Sequence, residues 1–321
     1  MQRLRITLFL VVLAVALSGA QQPKRGTHKK PNHAPAAYGF NLRCANLPFD
    51  NIATKPDPLA KCGNCGVVST SAPPNEVAAK AAQSNAKNNF CADTSKITVV
   101  TIADLRDLQR QAANLVITDL PDRSRVRGVL NNNPIVEGSV VRLVAWVKDA
   151  HFSDCGSGEE VNCKISGSAH NDIHIVLVDP RSGGRNQDEC SSVTAEMSPH
   201  FRPAAWSQLS RKMPISNVIR VTGPLFFDNA HVPCTGLTRR STDRAPFRSS
   251  LWEIHPVYQF EVCANTDPAK CAVNDDSVWK AYDRWVSDPN SMTAATTFTE
   301  SCKEPGSQTP RNVPARCLSE R

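Results

Sequence analysis

Two short strings share the form carboxylate-Ile-His: Asp172-Ile-His174 and Glu253-Ile-His255. Alternate side chains of an extended strand share a face, so each pair stands on one side, opposite Ile173 or Ile254. Glu196 and Ser198 repeat the spacing, and His200 follows just beyond them. Carboxylates and imidazoles gathered in this way can hold a hard or borderline divalent metal, or work as an acid–base pair. They can equally satisfy one another in a hydrogen-bond network that fixes strand register. The candidate ligand or metal residues are therefore Asp172, His174, Glu196, Glu253 and His255, with Arg202 and Arg220 as candidate contacts for an anion.

The elements that must position these groups follow from period-two alternation. Residues 139–148, 172–179, 191–198, 217–227 and 250–262 read as five strands, and Pro203–Ser210, with Trp206 and Leu209, reads as one helix. Five strands with a helix between the third and fourth is the order of the OB-fold, a Greek-key barrel; a small sandwich is the competing arrangement. The expected fold is mainly β, α+β overall, with an OB-like barrel over residues 138–263. Its first strand should pair with the second and fourth, and its fifth should close against the first. On that plan Asp172 and His255 need not be neighbours.

The flanks are helical. Asn75 can cap an Ala-rich helix running to about Asn89, and Thr101 with Asp104 resembles a capping box. Leu105, Leu108, Ala112 and Leu115 then share a helix face, and Asn131-Asn132-Asn133-Pro134 marks a turn that ends an N-terminal region, 37–137. Beyond the barrel, 264–321 should hold a helix with Trp279, Tyr282 and Trp285 on it, then an irregular tail.

The segments 171–177, 192–203, 220–228 and 251–258 carry the strings N-D-I-H-I-V-L, S-V-T-A-E-M-S-P-H-F-R-P, R-V-T-G-P-L-F-F-D and L-W-E-I-H-P-V-Y. Together they resemble a family of exported bacterial proteins to which no activity is assigned. The resemblance covers about residues 75–285 and implies a bacterial envelope or extracellular setting. It supplies no catalytic residue.

Residues 6–17 are the one long apolar run, preceded by Arg3 and Arg5 and followed by Ser18 and Ala20 before Gln21. That is the pattern of a secretory signal peptide over 1–20, and the run is too short to span a bilayer. The formal charge of +7 is concentrated at this end: the signal and a Pro-rich tail, 21–36, with Lys24, Arg25, Lys29 and Lys30, account for all but +1 of it. A basic nucleic-acid face is thus not indicated, although the tail could contact an acidic surface. Eight basic residues between 200 and 250 read as a solvated edge.

Twelve cysteines, an even number, follow the signal and favour disulfides. Locally plausible pairs are Cys155 with Cys163, Cys263 with Cys271, and Cys302 with Cys317, while Cys44, Cys62, Cys65 and Cys91 suit structural bridging more than a redox or zinc motif. The common hydrolase and nucleotide signatures are missing. Three functions stay open. One is an exported, disulfide-braced module binding an oligosaccharide, peptide or oligonucleotide on a barrel face. The second is a metal-assisted hydrolase, with phosphodiesters as one substrate class, and the third a structural protein of the envelope. The expected location is periplasmic or extracellular, without integral membrane association.

Overall fold

The computed structural model describes residues 47–49, 51–52, 66, 73–113, 115, 123–153, 156, 158–229, 231–234 and 248–295. The chain divides into two units, 1–36 and 37–321, and the described residues belong to the second. The signal peptide, the basic tail, Cys155, Cys302 and Cys317 lie outside them. No helix among the described residues is long and apolar enough to cross a membrane.

In chain order the elements are α1 (Pro74–Lys87), β1 (Thr98–Val100), α2 (Ile102–Gln111), β2 (Arg127–Leu130), β3 (Asn133–Val136), β4 (Val140–Phe152), β5 (Ile173–Val178) and β6 (Val193–Met197). They continue with β7 (Met213–Pro214), β8 (Ile219–Phe227), β9 (Trp252–Ile254), β10 (Gln259–Cys263), β11 (Trp279–Ala281), α3 (Tyr282–Val286) and β12 (Thr293–Ala294). The strands β4, β5, β6, β9 and β8 form a closed ring, β8 pairing back onto β4. The protein is therefore mainly β, built on a five-stranded OB-like barrel. A short 3-10 helix, Ala204–Gln208, stands between the third and fourth barrel strands, with Trp206 buried.

The fifth strand departs from expectation in two ways. It closes the ring against the third strand, through a parallel pairing of Ala195 with Ile254, and not against the first. It is also broken: β9 and β10 both pair antiparallel with β8, but the register slips by two residues between them, across the cis His255–Pro256 peptide. The chain bulges here because β8 offers no side chain at the crossing. A Cβ on Gly223 would lie 2.4 Å from the Pro256 carbonyl oxygen, so the backbones can approach only where that atom is absent. Gly223→Ala is expected to cost about 1–3 kcal/mol through forced displacement. A thermal melt unchanged by this substitution would contradict the close approach.

The alternation at 173–177 and 193–197 works as predicted. Ile173, Ile175, Leu177, Val193, Ala195 and Met197 all enter one core, shared with Trp252, Ile254 and Phe260. Elements before the barrel join the same core. The Thr101–Asp104 capping box is present on α2, and Leu105 and Leu108 are buried. β1 extends the sheet parallel to β4. Asn131 and Asn132, both at positive φ, form the two-residue turn of the β2–β3 hairpin. α1 begins at Pro74, with Pro73 at the cap position and no side-chain cap, so Asn75 does not start it. The helix expected through Trp279 is broken: a 3-10 turn at Asp276–Val278 leads into β11, where Trp279 pairs with Cys263, and only Tyr282–Val286 is α-helical.

Two disulfides join described residues, Cys263–Cys271 and Cys190–Cys234. The first clips the turn after β10. The second ties the loop before β6 to the segment after β8, a pairing across 44 residues that local spacing does not suggest. Cys91 and Cys163 are also disulfide-bonded. Bonds of this kind suit an oxidising compartment.

Candidate functional site

With the apolar alternates in the core, the polar alternates of β5, β6 and the fifth strand stand on the outer face of the barrel. That face is covered. α1 ends above it, and the loop 158–172 folds beside it.

Four of the five candidate residues meet directly, and a lysine joins them. His255 Nε2 lies 3.1 Å from Asp172 Oδ2 and 3.4 Å from Glu196 Oε2. His174 Nε2 lies 3.1 Å from Glu196 Oε1 and 3.7 Å from Glu159 Oε1. Lys87, the last residue of α1, brings its Nζ to 2.7 Å from Glu196 Oε2, 3.4 Å from Asp172 Oδ2 and 3.7 Å from Glu159 Oε1. Asp172, Glu196 and His255 are buried and make a floor, whereas Lys87, Glu159, His174 and His151 keep side-chain exposures of 12–15% and make a rim. His151 belongs to the rim through its ring, 5.8 Å from that of His174, and is held by Asp149 at 3.0 Å.

The fifth candidate, Glu253, sits one step away. Its Oε2 accepts from Arg248, whose other terminal nitrogen donates to Asp228, and all three side chains are buried. Arg202 and Arg220 do not face an external anion. Arg202 donates to the carbonyls of Asn171 (2.6 Å), Met197 (3.1 Å) and Ser168 (2.6 Å), and Arg220 is held by Glu261 (2.6 Å) and Asp276 (2.7 Å). The basic stretch 200–250 divides where it is described: Arg202, Arg220 and Arg248 are buried, whereas Arg211 and Lys212 are exposed, as a solvated edge would have them.

The electrostatics follow from burial set against opposite charge. Burial opposes the charge on Lys87, yet Glu196, Glu159 and Asp172 outweigh it and raise its pKa well above the ordinary value. Burial would raise Asp172, but Lys87 and His255 hold it below the usual carboxylate range. His174 is raised, the pull of Glu196 and Glu159 exceeding the penalty of burial. Glu253 goes the other way: burial and the nearby Glu196 push it well above the usual range against the pull of Arg248. Burial pulls the Arg202 guanidinium down to about 10, against the carboxylates of Asp172 and Glu159.

Lys87, Glu159 and His151 were not singled out by sequence, and Arg248 entered only among the basic residues of the 200–250 stretch. Lys87 closes an Ala-rich helix with the look of an exposed cation, and Glu159 lies in a Gly/Ser/Glu loop; neither has a local signal. No protein-family model matches the chain, and no curated protein matches it significantly.

Proposed function

We propose that the protein is an exported binding module that receives its ligand at the rim of this acid–imidazole cluster. The observation that supports the reading is where the cluster lies. It gathers side chains from α1, β4, β5, β6, the fifth strand and the 158–172 loop over the second and third barrel strands, the side on which OB barrels take oligosaccharides and oligonucleotides. Carboxylates outnumber permanent cations there, which disfavours a polyanionic oligonucleotide. An amine-bearing oligosaccharide or a basic peptide suits the rim better. The fold likeness alone carries no activity.

Calorimetric titration of the mature chain with amino-sugar oligomers and lysine-rich peptides tests this. Saturable binding, weakened by His174→Ala and by Glu159→Gln, is expected. Binding that ignores both substitutions would remove the rim from the account.

A second reading is metal-assisted hydrolysis, favoured by two sets of metal-ligating side chains that share Glu196: Glu159 with His174, and Asp172 with His255. A hydrolysis panel with and without chelator separates a catalyst from a binder. Kinship with the exported bacterial proteins that the motifs resemble belongs to the same proposal, as does contact of the 21–36 tail with an acidic surface. A salt-dependent pulldown with and without that tail tests the latter.

A further inference from the structure

We infer that Asp172, Glu196 and His255 form a binding site for one divalent cation of the zinc class, a site that the Lys87 ammonium holds closed. This goes beyond the binding-module reading and does not depend on which ligand the rim takes.

The first support is the tautomer of His255. Its Nδ1 lies 2.6 Å from the Lys87 carbonyl oxygen, an acceptor only, so Nδ1 carries the proton. In the neutral ring the Nε2 lone pair then points at two carboxylates, Asp172 Oδ2 at 3.1 Å and Glu196 Oε2 at 3.4 Å. A lone pair facing two anions is unfavourable unless a proton or a metal ion stands between them. Orientation of one ring nitrogen by a carbonyl at the other is how metal-ligating histidines are set.

The second support is spacing. Ligand atoms about 2.0–2.1 Å from a tetrahedral ion stand about 3.3 Å from one another. The two distances from Nε2 match that edge, and all three ligand atoms lie within 4.8 Å of one another. One imidazole with two carboxylates is a donor set for zinc or manganese.

The third support is the competitor itself. Lys87 Nζ lies 2.7 Å from Glu196 Oε2 and 3.4 Å from Asp172 Oδ2, so one cation already stands against both carboxylates where a divalent ion would take its place.

The experiment is zinc titration of the metal-stripped, full mature chain, followed by calorimetry. Uptake of one zinc per chain is expected. Glu196→Gln, which keeps the side-chain shape, should weaken it on the order of 100-fold. Lys87→Met removes the competing ammonium and should tighten uptake about tenfold. Circular dichroism confirms that each variant is folded, and His255→Ala serves as a second ligand deletion. Absence of saturable uptake by the parent chain overturns the inference. So does uptake that Glu196→Gln and His255→Ala leave unchanged.

Discussion

Replacing Arg248 by alanine is expected to destabilise the fold by about 3–5 kcal/mol, because one guanidinium holds two buried carboxyls and only His231 is left beside one of them, Asp228. Asp228 and Glu253 are both buried and both accept from Arg248. Urea unfolding monitored by tryptophan fluorescence measures the loss. The double change Arg248→Ala with Glu253→Gln should recover part of it, since Glu253 is the partner that burial already pushes toward its neutral form. A loss under about 1 kcal/mol would mean that water reaches the site and the carboxylates are solvated.

The same pair sets an acid limit. Burial would raise the Asp228 carboxyl, but Arg248 and His231 overcome it and hold it well below the usual range. A carboxyl whose folded pKa is depressed contributes fully above its unfolded pKa of about 4, and the contribution disappears as pH falls toward the folded value. Stability should therefore drop steeply below about pH 4. In Asp228→Asn that acid limb should be shallower.

Arg123→Ala is expected to cost a comparable amount, about 3–5 kcal/mol, for a different reason. The Arg123 guanidinium meets Glu137 through two nitrogens, Nε at 2.6 Å, and donates to Asn229 Oδ1 at 2.6 Å and to the Phe227 carbonyl at 2.5 Å. Glu137 in turn accepts from the Phe227 amide at 2.9 Å. The residue thus fastens the chain leading into and out of the β2–β3 hairpin to the end of β8. A lysine has one nitrogen and cannot reproduce the fork, so Arg123→Lys should rescue only part of the loss. Hydrogen exchange should show the hairpin loosened more than the barrel. Equal protection in both variants and the parent would remove Arg123 from this role.

What the sequence made legible was local. Ile173, Ile175, Leu177, Val193, Ala195 and Met197 alternate cleanly, and the barrel strands that carry them lie within two residues of their expected limits. The order of strands and the helix at Trp206 pointed to the OB-like ring. Features set by distant parts of the chain were not readable. The break in the fifth strand depends on Gly223 lying opposite Pro256, a relation between residues 33 positions apart. Trp279, Tyr282 and Trp285 have helical spacing, yet the Cys263–Cys271 bond returns the chain beside β10, and Trp279 is drawn into a strand. At the site, alternation supplied the floor from β5, β6 and the fifth strand. Their convergence, and the lysine above them, came from folding in three dimensions.

The contact between Lys87 and His255 spans 168 residues, and that between Tyr258 and Asn89 spans 169. One end of this closure precedes the barrel strands, and the other lies at the break in the fifth of them. Contacts so far apart are slow to form, since a long loop must close before either end is rewarded. As the chain is synthesised from its N-terminus, Lys87 emerges early and waits for a floor whose last member arrives only with residue 255. Any chain ending short of that point would carry the carboxylates of Asp172 and Glu196 without their imidazole. Assembly of the cluster therefore has to wait until residue 255 is made.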